Sequence, residues 1–374
     1  MKYYIISGEA SGDLHGSNLI KALRAKDADA DIRCWGGDLM EQAGAALAKH
    51  YREMAFMGFF EVLLNLRKIS KNINYCKRDI SEYHPDVIVF IDFSGFNLRI
   101  AKWAKEKGFT TNYYISPQIW ASRESRIKDI KRDIDAMYVI LPFEKEFYEG
   151  KHDFPVHFVG HPLIDAIGDR KPVNSDRFRK KHQLHPQKPI IALLPGSRKQ
   201  EVQKMLDIML SIIGDFTNYE FVIGGAPSLD REFYQAFLSD PNVSFVHNKT
   251  YDLLSVSHAA LVTSGTATLE TAIFKVPQVV CYRANWLSYQ IAKRIVTLDY
   301  ISLVNLIMDE EVVTELIQNE LTANNLEIAL FKILDGPARQ AQLKAYDELE
   351  QKLGGSGASE KTAELIYNSA HNTR

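Results

Sequence analysis

The chain has 374 residues, 46% of them hydrophobic and 25% charged, with a formal net charge of −2. That length exceeds one ordinary core and implies about two domains, and the composition is that of a globular protein without a low-complexity tract. Near-neutral charge gives no global pull toward nucleic acid, and Cys34, Cys76 and Cys281 stand far apart with no CxxC pair, which excludes a disulfide framework or structural zinc and fits a reducing cytoplasm.

The N-terminus, MKYYIISGEASGD, enters a strand at once, with no long apolar stretch before a cleavage site. Tyr3–Ser7 is the predicted first strand, GEASGDLHG a glycine-rich turn, Ser17–Lys26 a helix, Ile32–Trp35 a strand and Gly36-Gly37 a turn. Met54–Ile69 is almost wholly apolar, with Glu61, Asn65, Lys68 and Asn72 as a narrow polar stripe at helical spacing. Such a helix is either sandwiched in the core, the default reading, or meets lipid. Two basic clusters, Arg67, Lys68, Lys71, Lys77, Arg78 and Arg123, Arg126, Lys128, Lys131, Arg132, suit an anionic bilayer or a lipid phosphate, with solvated helix faces as the plainer account. No run of about eighteen apolar residues exists, so no transmembrane helix is expected.

Val87–Asp92, VIVFID, is a continuous apolar run typical of a parallel strand buried on both faces, and Asp92 ends it at the edge where open α/β sheets place ligands. Thr110–Ile115, Ala136–Leu141 and His157–Val159 are further strands. The charged, proline-rich stretch Asp165–Pro189 reads as a linker with a short helix. The alternation then restarts with strands Ile190–Leu194, Tyr219–Ile223, Val243–Phe245, Ala259–Val262 and Gln278–Cys281. After Asp309 only helix is predicted, with a flexible break at Gly354–Gly357 before a last helix, Ser359–Ala370, able to swap between subunits of a homodimer. The expected organisation is α/β: two Rossmann-like parallel-sheet domains, 1–165 and 166–335, facing across a cleft, with helices 336–374 packing back on the first domain or on a partner subunit.

Four stretches carry candidate chemistry. In LVTSGTATLETAIFKVPQVVCYR, Leu261 to Arg283, a strand feeds Ser264, Gly265 and Thr266 into a helix N-terminus, whose free amides and dipole suit a phosphate. Glu270, about one turn on along the same face, is placed to accept from a ribose; a plain capped helix with a surface Glu270 is the alternative. LLPGSRKQEV repeats the pattern with Gly196, Ser197 and Arg198, the guanidinium offering a fork of donors to a diphosphate, unless Arg198 is only a solvated surface residue. SGEASGDLHG has glycines at 8, 12 and 16, neither GxGxxG nor a P-loop, which speaks against a dehydrogenase and a P-loop ATPase. Its glycines permit a sugar to lie against the backbone, with Glu9 and Asp13 as hydroxyl binders or merely surface acids. Asp92 itself suits a general base toward an alcohol, or an N-cap for the next helix. His161 in FVGHPLID reads as a structural hydrogen-bonding residue.

In order along the chain, SGEASGD, AFMGFFEVL, FIDFSGFN, YYISPQIWA, LPFEKEFY, FVGHPLID, LLPGSRKQEV, SGTATLE and DYISLVNLI resemble the lipid-A-disaccharide synthase family from about Tyr3 to about Leu316. The resemblance implies a GT-B glycosyltransferase of Gram-negative bacteria, inverting and metal-independent, with no cofactor, peripheral to the cytoplasmic face of the inner membrane. It implies transfer of 2,3-diacylglucosamine from its UDP carrier to 2,3-diacylglucosamine 1-phosphate, giving a β-1,6 disaccharide and UDP. By the same resemblance Arg198, with Gly196 and Ser197, neutralises the diphosphate, Ser264–Thr266 add phosphate donors, Glu270 holds the ribose and Asn305 joins that pocket. Asp92 matches the base for the acceptor's 6-hydroxyl, and Glu9, Ser11, Asp13 and Asn97 fall on the acceptor side. Three positions depart from the family pattern: Gly95 stands where many relatives have a second acid, Ser122 where tryptophan is frequent, and Val304 where proline is frequent. The first departure puts a two-carboxylate scheme in doubt and throws more weight on Asp92.

Rival readings are a UDP-N-acetylglucosamine 2-epimerase-like isomerase, another UDP-sugar transferase, and a non-catalytic nucleotide-sugar binding protein. The apolar 54–66 segment argues against the isomerase, which needs no lipid; a buried and already paired Asp92 would favour the binding protein.

Overall fold

The computed structural model describes residues 1–54, 66–168, 170–283 and 299–372. Two compact units divide the chain: Met1–Asp169 with Leu353–Arg374, and Arg170–Lys352. Each is built on one parallel sheet. Among the described residues the first unit has seven strands, β1 (Lys2–Ile6), β2 (Asp31–Gly36), β3 (Ala46–His50), β4 (Val87–Ile91), β5 (Thr110–Tyr114), β6 (Ala136–Val139) and β7 (His157–Phe158). They lie in the order β3-β2-β1-β4-β5-β6-β7. The second unit has six, β8 (Ile190–Leu194), β9 (Glu220–Gly225), β10 (Val243–His247), β11 (Ser257–Thr263), β12 (Gln278–Tyr282) and β13 (Glu315–Ile317), in the order β10-β9-β8-β11-β12-β13.

The central strands are those whose residues are apolar on both faces. Every residue of β4 and of β8 is buried. In the second unit Ile191, Leu193, Phe221, Ile223 and Leu261 belong to the core on one face, while Ile190, Ala192, Leu194, Val222 and Val262 belong to the core on the other. That odd–even split is the strand period of two with helices covering both sides, and each such side chain contributes about 1.5–3 kcal/mol by leaving water.

Two edge strands were not predicted. β3 is only half-buried and carries Lys49 and His50, so it lacks an apolar run. β13 is three residues long, pairs Val280 with Glu315, and stands in the region predicted to be helix only after Asp309. The N-terminal glycine-rich stretch is not a turn either. The helix Ala10–Lys26 starts within it and takes in Gly12, Asp13 and Gly16. A Cβ on Gly12 would lie 2.8 Å from the Ser7 Cβ, and one on Gly16 would lie 2.7 Å from the Met40 Sδ. These glycines therefore admit the protein's own neighbouring chain, where the sequence suggested a sugar.

The helix Gly336–Lys352 belongs to the second unit, while the helix Ala358–Asn372 packs on Ala10–Lys26 in the first. Asp165 ties that last helix down, its carboxylate accepting from the amides of Gly357 at 2.7 Å and Ser359 at 3.1 Å. The apolar stretch 54–66, open between core and lipid on sequence grounds, lies outside the described residues apart from its ends. No helix among the described residues is long and apolar enough to cross a membrane.

Candidate active-site turns

In a doubly wound sheet the loops leaving two neighbouring strands part to opposite faces where the strand order reverses, and ligands bind in the crevice this leaves at the carboxyl ends. The first unit reverses between β1 and β4, and the second between β8 and β11. Four segments follow those strands: Ser7–Glu9, Asp92–Phe93, Pro195–Arg198 and Ser264–Thr266. They hold most of the residues singled out from sequence.

At the first reversal, Asp92 and Phe93 both adopt left-handed backbone, with φ of 44° and 46°. Two successive non-glycine residues there cost free energy, and the surroundings hold them in place. The Asp92 amide donates to the Tyr114 carbonyl at 3.2 Å. Its carbonyl accepts from the Tyr113 hydroxyl at 2.5 Å and the Asn97 side-chain amide at 2.8 Å. Phe93 lies over Gly8, where a Cβ would come within 2.3 Å of the Phe93 ring. Gly8 is thus needed for close approach.

The N-cap of the helix Ser94–Glu106 is Phe93, so Asp92 is not consumed as a cap. Its half-buried carboxyl is pushed up to about 6 by burial and then by the nearby Glu9 carboxylate, while the Phe93 amide pulls it partly back. Glu9 and Ser11 are exposed at the start of their helix. Two acceptor-side expectations fail here. Asp13 is buried and its carboxylate accepts from the amides of Gly37 at 2.8 Å, Leu39 at 3.2 Å and Met40 at 3.0 Å, so it serves the start of the short helix Asp38–Gln42 where a free hydroxyl binder was expected. Asn97 is fully buried and its Nδ2 donates to the carbonyls of Ile6, Ile91 and Asp92, which positions the Asp92 turn.

At the second reversal β8 and β11 are paired with Leu194 opposite Val262, so their two turns leave the same edge side by side. Gly196 has φ of 100°, a conformation suited to glycine, and a Cβ there would meet the Glu201 carboxylate at 2.7 Å. Ser197 and Arg198 are exposed at the start of the helix Lys199–Leu210, and no hydrogen bond or ion pair engages the Arg198 guanidinium among the described residues. Gly265, at φ 156° and ψ −164°, occupies a region essentially reserved for glycine and caps the helix Thr266–Ile273. The first amides of that helix have no carbonyl four residues back to bind. Ser264 donates its hydroxyl to the Ile301 carbonyl at 2.9 Å.

Glu270 accepts from the Tyr251 hydroxyl at 3.0 Å. Burial raises its pKa and that hydrogen bond lowers it in part. Asn305, expected to line the nucleotide pocket, is instead wholly spent inside the protein. Its amide donates to the Val313 carbonyl and Glu315 at 2.8 and 2.9 Å, and its oxygen accepts from the amides of Val312 and Val313, both at 2.9 Å. Glu315 also accepts from the amides of Ile301 and Ser302, each at 2.9 Å, and so fixes the segment that Ser264 bonds. Tyr251 and Glu315 were missed from sequence: Glu315 sat in a stretch read as helix, and nothing local marks Tyr251 as the partner of a residue nineteen positions away.

The fold with its paired ligand turns defines the class: GT-B, the two-domain plan shared by sugar-nucleotide transferases and epimerases. The chain is similar to the UDP-GlcNAc 2-epimerase of Neisseria meningitidis bound to UDP-GlcNAc, with a TM-score of 0.65 at 13% identity over 100% of both chains. It is equally similar to the glycotransferase of kitacinnamycin, with a TM-score of 0.65 at 14% identity over 98% of each. At such identities the likeness speaks for the fold alone. The sequence decides the family. The lipid-A-disaccharide synthetase family model matches residues 3–368. The lipid-A-disaccharide synthase of Coxiella burnetii strain CbuG_Q212 is 36% identical over 369 residues, 97% of each chain, and that of Geobacter metallireducens is 37% identical over 369 residues, 97% of this chain and 95% of the relative. The chain belongs to the lipid-A-disaccharide synthase family, and is a glycosyltransferase of lipid A synthesis. The isomerase reading shares the fold but not the family.

Proposed function

We propose that the enzyme transfers 2,3-diacylglucosamine from UDP to the 6-hydroxyl of 2,3-diacylglucosamine 1-phosphate, with inversion, to give the β-1,6 disaccharide 1-phosphate and UDP. The observation that carries this reading is Asp92: an acid at the strand reversal of the first sheet, not consumed as a cap, with its carboxyl raised toward neutrality. A base with a pKa near the working pH is ionised yet still basic enough to take a proton.

In this scheme the Asp92 carboxylate accepts the hydroxyl proton as O6 bonds to the anomeric carbon. The bond from that carbon to the UDP oxygen breaks in the same step, and UDP leaves with the electron pair. Inversion follows from a single in-line displacement. The second unit holds the UDP: Arg198 and the amides at Gly196, Ser197 and Ser264–Thr266 take the charge that develops on the diphosphate. Glu270 receives a ribose hydroxyl in exchange for, or beside, the Tyr251 hydroxyl. Both substrates carry acyl chains, so the enzyme works at the cytoplasmic surface of the inner membrane as a peripheral protein.

The test is UDP release from UDP-2,3-diacylglucosamine with and without the monosaccharide 1-phosphate. Release that depends on the acceptor, with a disaccharide product, is expected. Consumption of the sugar nucleotide at the same rate without acceptor, or no consumption in either case, rejects the scheme.

A further inference from the structure

Beside the Asp92 turn the first unit contains a cavity of about 660 Å³ that none of the roles above uses. Phe93, Ser94 and Gly95 form the wall nearest Asp92, and Met54, Ile69 and Leu98 supply apolar surface. Arg99, Lys102, Arg123 and Arg126 also line it, from the helix Ser94–Glu106 and from the turn that precedes the helix Ile127–Asp133. We propose that this cavity is the phosphate-monoester subsite for the acylated sugar acceptor, with Arg99, Arg123, Arg126 and Lys102 receiving the phosphate while the sugar reaches back to Asp92. The inference rests on the acceptor reading given above and assigns where that acceptor's charge is held.

The charge balance of the cavity supports an anionic guest. Among the described residues its acids are Asp129 and Asp133, and Arg132 already pairs with both, at 3.0 and 2.6 Å. Glu124, beside Arg123, pairs with Lys151 at 2.8 Å and His152 at 2.9 Å. No hydrogen bond or ion pair engages the side chains of Arg99, Lys102, Arg123 or Arg126 among the described residues. Arg126 is half-buried, and burial, then the positive charges of Arg123 and Arg99, lower its pKa, with Tyr113 and Asp129 acting the other way, so Arg126 feels both neighbouring guanidiniums. Arg99, Lys102 and Arg123 are exposed and Arg126 half-buried, so the cluster offers an entering anion donors that no acid among the described residues has taken up. A phosphate monoester carries close to two negative charges near neutral pH and fits the forked donors of arginine.

Two further features point the same way. The helix Ser94–Glu106 directs its N-terminus at the cavity through Ser94 and Gly95, adding the positive end of its dipole. Among the described residues nothing lies within 4 Å of the place a Gly95 Cβ would take, so no described side chain covers the backbone there. Asp92 is the residue immediately before this wall. In a hexosamine 1-phosphate the carbon bearing the 6-hydroxymethyl group and the carbon bearing the phosphate flank the same ring oxygen, so a phosphate held among the arginines leaves the 6-hydroxyl near the Asp92 end of this wall.

The experiment compares kcat/KM for 2,3-diacylglucosamine 1-phosphate and for dephosphorylated 2,3-diacylglucosamine in the same mixed micelles, using the full chain and its Arg99→Gln, Arg126→Gln and Lys102→Gln variants. The intact enzyme is expected to prefer the phosphorylated acceptor by about tenfold or more, and each arginine variant to lose about tenfold of that preference. Its KM for the UDP-sugar should stay unchanged. Lys102 is exposed on its helix, so its variant keeps the test alive if an arginine variant does not fold. Equal rates on the two acceptors in the intact enzyme, or an unaltered preference in all variants, overturns the proposal.

Sedimentation with phosphatidylethanolamine–phosphatidylglycerol vesicles separates the sources of phosphate. Unchanged vesicle binding is expected; loss of vesicle binding with acceptor preference intact assigns the arginines to membrane phosphates and overturns the proposal. If the intact enzyme makes no disaccharide at all, the acceptor reading itself fails. Calorimetric titration with glucosamine 1-phosphate against glucosamine then still decides the phosphate subsite, since tighter binding of the phosphate that Arg126→Gln abolishes is required.

Discussion

On the proposed scheme Asp92 takes the proton and Arg198 steadies the leaving group, so their variants should divide the kinetics. Asp92→Asn removes the base: turnover should nearly vanish while UDP affinity, measured by titration, stays close to normal. Comparable turnover in that variant removes Asp92 from the mechanism. With its carboxyl at about 6, the log of kcat/KM should fall by about one for each pH unit below that value and be flat above it. The same shift bears on stability. A folded pKa raised from 3.8 to about 6 means that the contribution from this carboxyl is present at low pH and lost as pH rises through about 6, so Asp92→Asn should gain up to about 3 kcal/mol at neutral pH in a urea melt. Arg198→Ala leaves the fold alone, since the side chain is exposed and unpaired among the described residues, and should raise the KM for the UDP-sugar about ten- to a hundredfold. An unchanged KM would contradict the diphosphate role.

At the scale of elements, the stretch SGEASGDLHG shows how a loop reading goes wrong. Glycine in sequence signals either special φ or close approach, and only the neighbours tell which. Here Gly12 and Gly16 sit in a helix against Ser7 and Met40, and the neighbouring Asp13 faces the amides of another helix. Asp13→Ala should therefore cost about 2–4 kcal/mol in denaturant melts, because three amides, two of them buried, lose their acceptor. The KM for either substrate should hold; a raised acceptor KM at unchanged stability would restore Asp13 to the site. Asn305 follows the same logic. Its place in DYISLVNLI was legible, but not that Val312, Val313 and Glu315 would saturate it, because β13 carries too few residues to show a strand period.

Over the whole molecule, the first unit should be the more sensitive to acid. His161 is buried in it and His15 half-buried, and burial lowers their pKa values to about 4 for His15 and about 3 for His161. A histidine with a lowered pKa contributes stability that is complete above the unfolded value of 6.5 and is lost as pH falls. Each should cost about 2–3 kcal/mol by pH 4.5, against a smaller opposite change from Asp92. Hydrogen exchange should therefore show protection in β1, β4 and β5 weakening between pH 6.5 and 4, and rings protonated at pH 6 by nuclear magnetic resonance would refute the buried-neutral assignment. The helix Ala358–Asn372 should lose protection with those strands, since it packs on the helix Ala10–Lys26 although nearly the whole chain separates them.

From its residues alone this protein declares two parallel α/β sheets, the ends of their central strands, and the glycine-bearing turns and the acid placed there. Those features are local: an apolar run on both faces, a glycine where φ demands it, a Ser, Thr or Arg at a helix start. Tertiary structure alone decided which polar side chains are free. Asp13 is engaged by amides 24 to 27 residues away, and Asn97 and Asn305 by groups that the surrounding turns fold onto them, whereas Asp92, Arg198 and the cluster around Arg126 are left with charge to offer. The reason is physical: a hydrogen bond is made where three-dimensional packing puts its partner, and no linear spacing records that.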